Sequence, residues 1–188
     1  MRDWREEDAM TYLPHPMHYT IEEFAFFVEK VTWKKWVPKS ITLHNTGVPS
    51  LKQWMAWGTI PQERWGSALN SYYRKLGWHS APHLVFCPHY VWNLCDLRED
   101  GVSVSCWNHE TLGVEMVGDF RKGGDEWESG EGKMVQDNAI QGLRLLFRHL
   151  GLNPRTALRF HHECVADHHA CPGDRVVKAD VINRILGS

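Results

Sequence analysis

No Cys-x-x-Cys pair occurs anywhere in the chain, which excludes the zinc-finger and zinc-ribbon classes. No apolar run is long enough to span a membrane, so no stable membrane association is expected. No apolar stretch follows a basic N-terminus, so no signal peptide is expected. Positive charge is not in excess either. Lys and Arg number 21 against 23 Asp and Glu, a formal net charge of -2, which gives nucleic acid no electrostatic footing. Internal repeats and linkers are missing as well. The 188 residues are therefore expected to form one domain with a real core, and a monomer. Cysteine is scarce and odd in number. Cys87, Cys95, Cys106, Cys164 and Cys171 show no compact spacing, and read as reduced thiols in a cytoplasmic setting, one of them a metal ligand.

What the chain does have is concentrated in one stretch, from Phe160 to Gly173. It holds four histidines, Glu163, Asp167, Cys164 and Cys171 within fourteen residues. Borderline and soft ligands at that density point to a transition-metal site, zinc first, against the plainer reading of a polar surface loop. The run Ala157–Phe160 reads as a strand, which puts His161 at a strand end. Cys171-Pro172-Gly173 reads as a tight turn that presents a thiolate. A catalytic zinc site takes three protein ligands, one of them usually distant in sequence. The best distant candidate is His44, at the end of the strand-like Ile41-Thr42-Leu43 and before turn residues. A structural role for that histidine remains open on this pattern alone.

The remaining chain interleaves strands and helices. Residues 1–18, with Pro14 and Pro16, read as a loosely held arm. Thr20 and Glu23 form a capping box for a helix carrying Phe24, Phe27, Val28 and Val31. Ser40–His44 is the first strand. Leu51, Trp54, Met55 and Trp57 follow in a short helical excursion; the tryptophans serve either packing or the wall of a groove. Pro61 suits the first turn of a helix whose buried stripe is Trp65, Leu69, Tyr72, Tyr73 and Leu76. Strands are expected at 83–86, 90–94 and 112–118, with a hairpin-type turn at 99–101 followed by alternation over 102–105. Glu115 interrupts the apolar 112–118 strand. It either points to solvent or is a buried carboxylate that needs a partner or a use. Residues 121–133 read as a mobile surface loop, 135–150 as the clearest amphipathic helix, and 179–186 as a short closing helix. The pattern predicts an α/β chain of the α+β type, with a central mixed β-sheet flanked by helices.

Four fragments in this order carry a family resemblance: Ile41-Thr42-Leu43-His44-Asn45-Thr46; Gly77-Trp78 with Pro82-His83-Leu84-Val85-Phe86; Asn108 with Leu112-Gly113-Val114-Glu115-Met116-Val117-Gly118; and Phe160-His161-His162-Glu163 with His169-Ala170-Cys171-Pro172-Gly173. Together they resemble the zinc-dependent N-acetylmuramoyl-L-alanine amidases, the superfamily that includes peptidoglycan recognition proteins, and among them phage endolysins. The resemblance implies Zn2+ held by His44, His161 and Cys171, with Glu163 orienting a ligand or a loop. It implies hydrolysis of the amide between N-acetylmuramic acid and L-alanine of the peptidoglycan stem. Glu115 would be the general base, and His169 and His83 would donate to the oxyanion. Trp54, Trp57, Trp78 and Asn108 would contact the muropeptide. Many family members have lysine where this chain has His169 and tyrosine where it has His83. Some have histidine where it has Ser103. An endolysin would wait in the host cytoplasm until released to the wall, and no separate wall-binding domain is visible. A peptidoglycan-binding module without catalysis is the alternative reading. A zinc deaminase is disfavoured, because its Pro-Cys-x-x-Cys element is absent.

Overall fold

The computed structural model describes residues 12–33, 36–57, 64–167 and 169–187. Its strands are β1 (Tyr12–Tyr19), β2 (Ser40–Asn45), β3 (Leu84–Phe86), β4 (Val91–Cys95), β5 (Thr111–Met116) and β6 (Leu158–Phe160). Its helices are α1 (Ile21–Lys30), α2 (Leu51–Ala56), α3 (Trp65–Lys75), α4 (Gly130–Leu150), α5 (Pro154–Ala157) and α6 (Lys178–Leu186). The strands form one mixed sheet in the order β1-β4-β3-β5-β2-β6. Strands β3, β5, β2 and β6 run parallel, while β4 is antiparallel to both β3 and β1. No helix among the described residues is long and apolar enough to cross a membrane.

The parallel strands are covered on both faces, so their sequences lack clean alternation. Every residue of β5 is buried, as is β2 up to His44. Polar residues in these strands are paired. Thr42 and Thr111 share a buried hydroxyl contact of 2.7 Å, and the Trp107 indole N–H donates to Thr42 at 2.8 Å. Helices α1 and α6 both pack on α4, which lies against β3 and β5, whereas α3 covers β1 and β4. The apolar positions Val135, Ala139, Leu143 and Leu146 recur at helical spacing along α4 and are buried. The capping box of α1 is present: Thr20 N–H donates to Glu23 at 2.8 Å, and Glu23 N–H to the Thr20 hydroxyl at 3.3 Å.

Several elements differ from the sequence expectation. Residues 12–18 are not a loose arm but most of edge strand β1, paired with β4. Pro14 and Pro16 are tolerated because, among the described residues, one edge of that strand has no partner strand, and the register shifts between Tyr12 and Met17. The rest of the expected arm, and the Pro61 helix start, lie outside the described residues. In α3 the buried set is Gly66, Leu69, Asn70 and Tyr73; Tyr72 and Leu76 face solvent. Residues 102–105 do not form a strand. Ser103 N–H instead donates to the Asn108 side chain at 2.8 Å, so this segment folds onto itself. The expected mobile loop is shorter, because α4 begins at Gly130. Its preceding turn is anchored by Asp125, which accepts from Leu51 N–H at 2.8 Å and Asp119 N–H at 2.7 Å.

Not all cysteines are free thiols. Cys106 and Cys164 form a disulfide across a sequence separation of 58. The expectation of five reduced thiols failed because the pairing depends on two remote loops meeting. Cys87, Cys95 and Cys171 are free.

Candidate active site and metal centre

Parallel strands deliver their C-terminal ends to one edge of the sheet, where open α/β sheets place their sites. His44 lies one residue from the end of β2, Glu115 one residue from the end of β5, and His161 directly after β6. The register pairs His44 with Glu115 across β2 and β5, so both side chains leave the sheet on the same face. Cys171 comes in from the far end of the chain. Its sulfur accepts from Asn45 N–H at 3.2 Å, beside His44. Two contacts hold its turn in place: His162 donates to the Cys171 carbonyl from its backbone N–H and from Nδ1, each at 3.0 Å. Gly173 makes that approach possible. Its φ is +105°, and a Cβ there would stand 2.4 Å from the Phe120 carbonyl carbon.

His44, His161 and Cys171 thus converge, with their ligand atoms all within 4.8 Å of one another. Two imidazoles and a thiol are a donor set suited to zinc, and three such ligands leave a position open. Outer contacts support the fit. His44 Nε2 lies 2.8 Å from the Ser103 hydroxyl, and His161 Nε2 3.0 Å from Asp167. Among the described residues no hydrogen bond reaches Nδ1 of either ring, which leaves that nitrogen for a metal while the other is oriented, a common pattern for ligating histidines. Gly113 lets the Ser103 segment lie this close to β5, since a Cβ there would meet the Ser103 side chain at 3.0 Å.

Burial governs the protonation of this corner. The His44 pKa falls to about 3, first through desolvation and then through repulsion from His161 and His169. His161 is also lowered by desolvation, against an opposing hydrogen bond that it donates to Asp167. Both imidazoles are therefore neutral at pH 7, as metal ligation requires. The Cys171 thiol is pushed well up by burial, so a metal would displace its proton. Glu115 is raised to about 7 by burial, against a lowering contribution from Tyr73, whose hydroxyl donates to it at 2.5 Å. A carboxyl poised near neutrality can both take and return a proton.

Other expected site residues divide. His169 is 63% exposed, its ring 4.7 Å from that of His161, which leaves it at the open side of the cluster. Trp78 stacks on Tyr73 at 5.2 Å and so braces the group that holds Glu115. Trp57 is half-buried against Trp54. Three placements correct the expectation. His83 is completely buried, with Nε2 on the Glu99 carbonyl at 2.8 Å and Nδ1 accepting from Gly113 N–H at 3.1 Å. Both nitrogens are occupied by backbone, Trp36 stacks on the ring at 5.4 Å, and burial lowers its pKa to about 4. It has no free nitrogen for an oxyanion. Trp54 is fully buried between Trp57 and Trp65 and lines no groove. The Asn108 side-chain oxygen is engaged by Ser103, so it shapes the segment that orients His44. Glu163 touches the loop and not a ligand: it caps its own turn at Phe160 N–H and pairs with Lys178 at 2.6 Å. Asp167 stood in the ligand-dense stretch without a role assigned to it, and Tyr73 read only as part of a buried stripe. Each reaches its partner through a helical turn or a loop meeting that spacing does not show.

The N-acetylmuramoyl-L-alanine amidase family, Amidase_2, matches residues 34–174, which span every residue of this cluster. The chain belongs to that family. No curated protein matches it. Among solved structures it is similar to the endolysin amidase LysCS from Clostridium intestinale URNW, at 16% identity and TM-score 0.58, covering 84% of this chain and 92% of that one. It is similar too to Drosophila PGRP-LB, at 14% identity and TM-score 0.59, covering 81% and 84%. A mutant endolysin from Bacillus subtilis aligns at 18% identity and TM-score 0.51, covering 72% and 76%. At these identities the amidase shares with them the fold, a mixed sheet flanked by helices.

Proposed function

We propose that this amidase is a zinc hydrolase. It cleaves the amide between the lactyl group of N-acetylmuramic acid and the first L-alanine of the peptidoglycan stem, as an endolysin in bacterial lysis. The carrying observation is the convergence of His44, His161 and Cys171 beside a buried Glu115 with a pKa of about 7. Zinc held by those three side chains supplies the Lewis acidity that an unactivated amide demands. Glu115 accepts the proton of the attacking water on the carboxylate oxygens and later delivers it to the leaving amine. Tyr73, stacked on Trp78, keeps that carboxylate aimed at the ligand corner. His169, on the open side, donates to the developing oxyanion. Similarity to an endolysin amidase and to PGRP-LB, a mutant of which is solved in complex with tracheal cytotoxin, supports a peptidoglycan fragment as the substrate.

In this reading the chain stays in the host cytoplasm until it is released towards the wall. The compartment outside the membrane is oxidising, and there the Cys106–Cys164 bond persists. The test is mass spectrometry of purified sacculi after digestion. Free stem peptides beside intact glycan strands are expected. Cut glycan with stems attached would overturn the reading, and bound but uncut sacculi would establish a binding module.

A further inference from the structure

His161 and Asp167 stand on successive 3-10 turns. Cys164 N–H donates to the His161 carbonyl at 2.9 Å, and Asp167 N–H to the Cys164 carbonyl at 3.0 Å. The two turns are separated by Cys164, whose backbone is extended at ψ 97°, and this break brings the Asp167 side chain back to the histidines. Asp167 Oδ2 lies 3.0 Å from His161 Nε2, while Oδ1 lies 3.3 Å from His169 Nε2. The two rings stand 4.7 Å apart and 32° from parallel. The His161 side chain is 11% exposed and that of His169 63%, so the carboxylate spans from the interior of the site to its mouth. The disulfide through Cys164 anchors the same turns to Cys106, three residues after the Ser103 that contacts His44.

We propose that Asp167 is a positioning residue with two partners. Through Oδ2 it fixes the Nε2–H form of His161 and leaves Nδ1 to the metal. Through Oδ1 it holds the exposed His169 ring over the same site. The sequence expectation let Glu163 orient either a ligand or a loop; it orients the loop, through Phe160 N–H and Lys178, and leaves the ligand to Asp167. Asp167 couples metal retention to the placement of His169, two properties that separate residues would leave independent. The inference rests on the zinc reading of the ligand corner. Its first test needs no substrate, so it can fail while amidase activity stands.

Zinc affinity is measured by competition with a chromogenic chelator on the wild-type protein, Asp167→Ala, Asp167→Asn and Glu163→Gln. Asp167→Ala is expected to weaken zinc about 10–100-fold at an unchanged stoichiometry of one, the usual cost of losing an outer partner of a ligating histidine. Asparagine offers one acceptor oxygen where aspartate offers two. Asp167→Asn should therefore keep more affinity than the alanine variant, and Glu163→Gln should match wild type. The cobalt-loaded Asp167→Ala protein should keep the wild-type thiolate charge-transfer and ligand-field bands. A changed cobalt spectrum would make Asp167 a ligand itself, and affinity within twofold of wild type would remove it from the site; either overturns the proposal. The second contact is tested on zinc-saturated protein by kcat. Asp167→Asn should lower kcat in the wild-type background and add little in a His169→Ala background. Fully additive losses would overturn the link to His169.

Discussion

His44 in β2 and His83 just before β3 are both buried histidines, 4% and 0% exposed, and burial lowers the pKa of each far below its ordinary value. By exposure and protonation they are twins. Their partners separate them. His83 gives Nε2 to a backbone carbonyl, takes a backbone N–H on Nδ1, and is sealed by Trp36. Among the described residues, the His44 ring bonds only the Ser103 hydroxyl, through Nε2, with the His161 ring 4.7 Å away and Cys171 beside it. A buried histidine whose two nitrogens are met by backbone is a cross-brace. One with a nitrogen left over, facing a thiol and another imidazole, is equipped to hold something. A perturbed pKa marks both and tells them apart in neither case.

The comparison can be broken most severely at the ligand corner. Cys171→Ser and His44→Ala should each weaken zinc by more than the roughly 10–100-fold that an outer partner costs, and abolish turnover. Cys106→Ser should leave one zinc bound. Zinc content by elemental analysis after dialysis checks this, and a zinc-replete, active Cys171→Ser protein would refute the assignment.

Next comes Glu115. Glu115→Gln should still bind one zinc and bind sacculi, yet lose on the order of 10²–10⁴ in turnover, the cost of removing a general base. Near wild-type turnover would take Glu115 out of the mechanism. In the metal-free protein the same substitution should have the opposite sign on stability. The folded pKa is about 7 against an ordinary value of 4.5, so the unfolded chain binds fewer protons between those values. Stability therefore falls as pH rises through that window, by on the order of 3 kcal/mol once ionisation is complete. Denaturant midpoints should show Glu115→Gln above wild type at pH 8 and level with it near pH 4.5. An equal gap at both would mean that the carboxyl is not held neutral.

His83→Ala sharpens the contrast from the other side. It strips the partners from Glu99 O and Gly113 N–H and opens a void under Trp36, so a loss of about 3 kcal/mol is expected. Zinc affinity and the specific activity of folded protein should stay near wild type. A variant as stable as wild type but slower would return His83 to catalysis. The smallest effect is expected at Trp57, half-buried at the rim: Trp57→Ala should change KM a few-fold if it touches substrate, and stability alone if it only packs on Trp54.

The strands and helices were legible because their signals are local. The Thr20–Glu23 box, the α4 stripe and the apolar β5 each lie within one element, where backbone periodicity maps directly onto sequence spacing. The strand ends carrying His44 and His161 could be read the same way. β1 was missed because two prolines argue against a strand unless its edge is free, and freedom of an edge is a property of the sheet. Trp54 and His83 were misplaced for a related reason: aromatic and histidine side chains look alike in sequence whether a neighbour covers them or not. The Cys106–Cys164 bond was missed because it joins two loops that are remote in sequence.

By itself the sequence determined which residue types the chain could bring to metal and proton chemistry, and at which strand ends they would stand. Tertiary structure decided the rest. Only the parallel register of β2 and β5 puts Glu115 beside His44, and only the packing of α3 brings Tyr73 to that carboxyl. Only the return of the chain after β6 sets Cys171 against Asn45 and Asp167 between His161 and His169. Those contacts join residues 2 to 126 positions apart. Most are closed by the burial of a shared core, a cooperative property that no single segment carries.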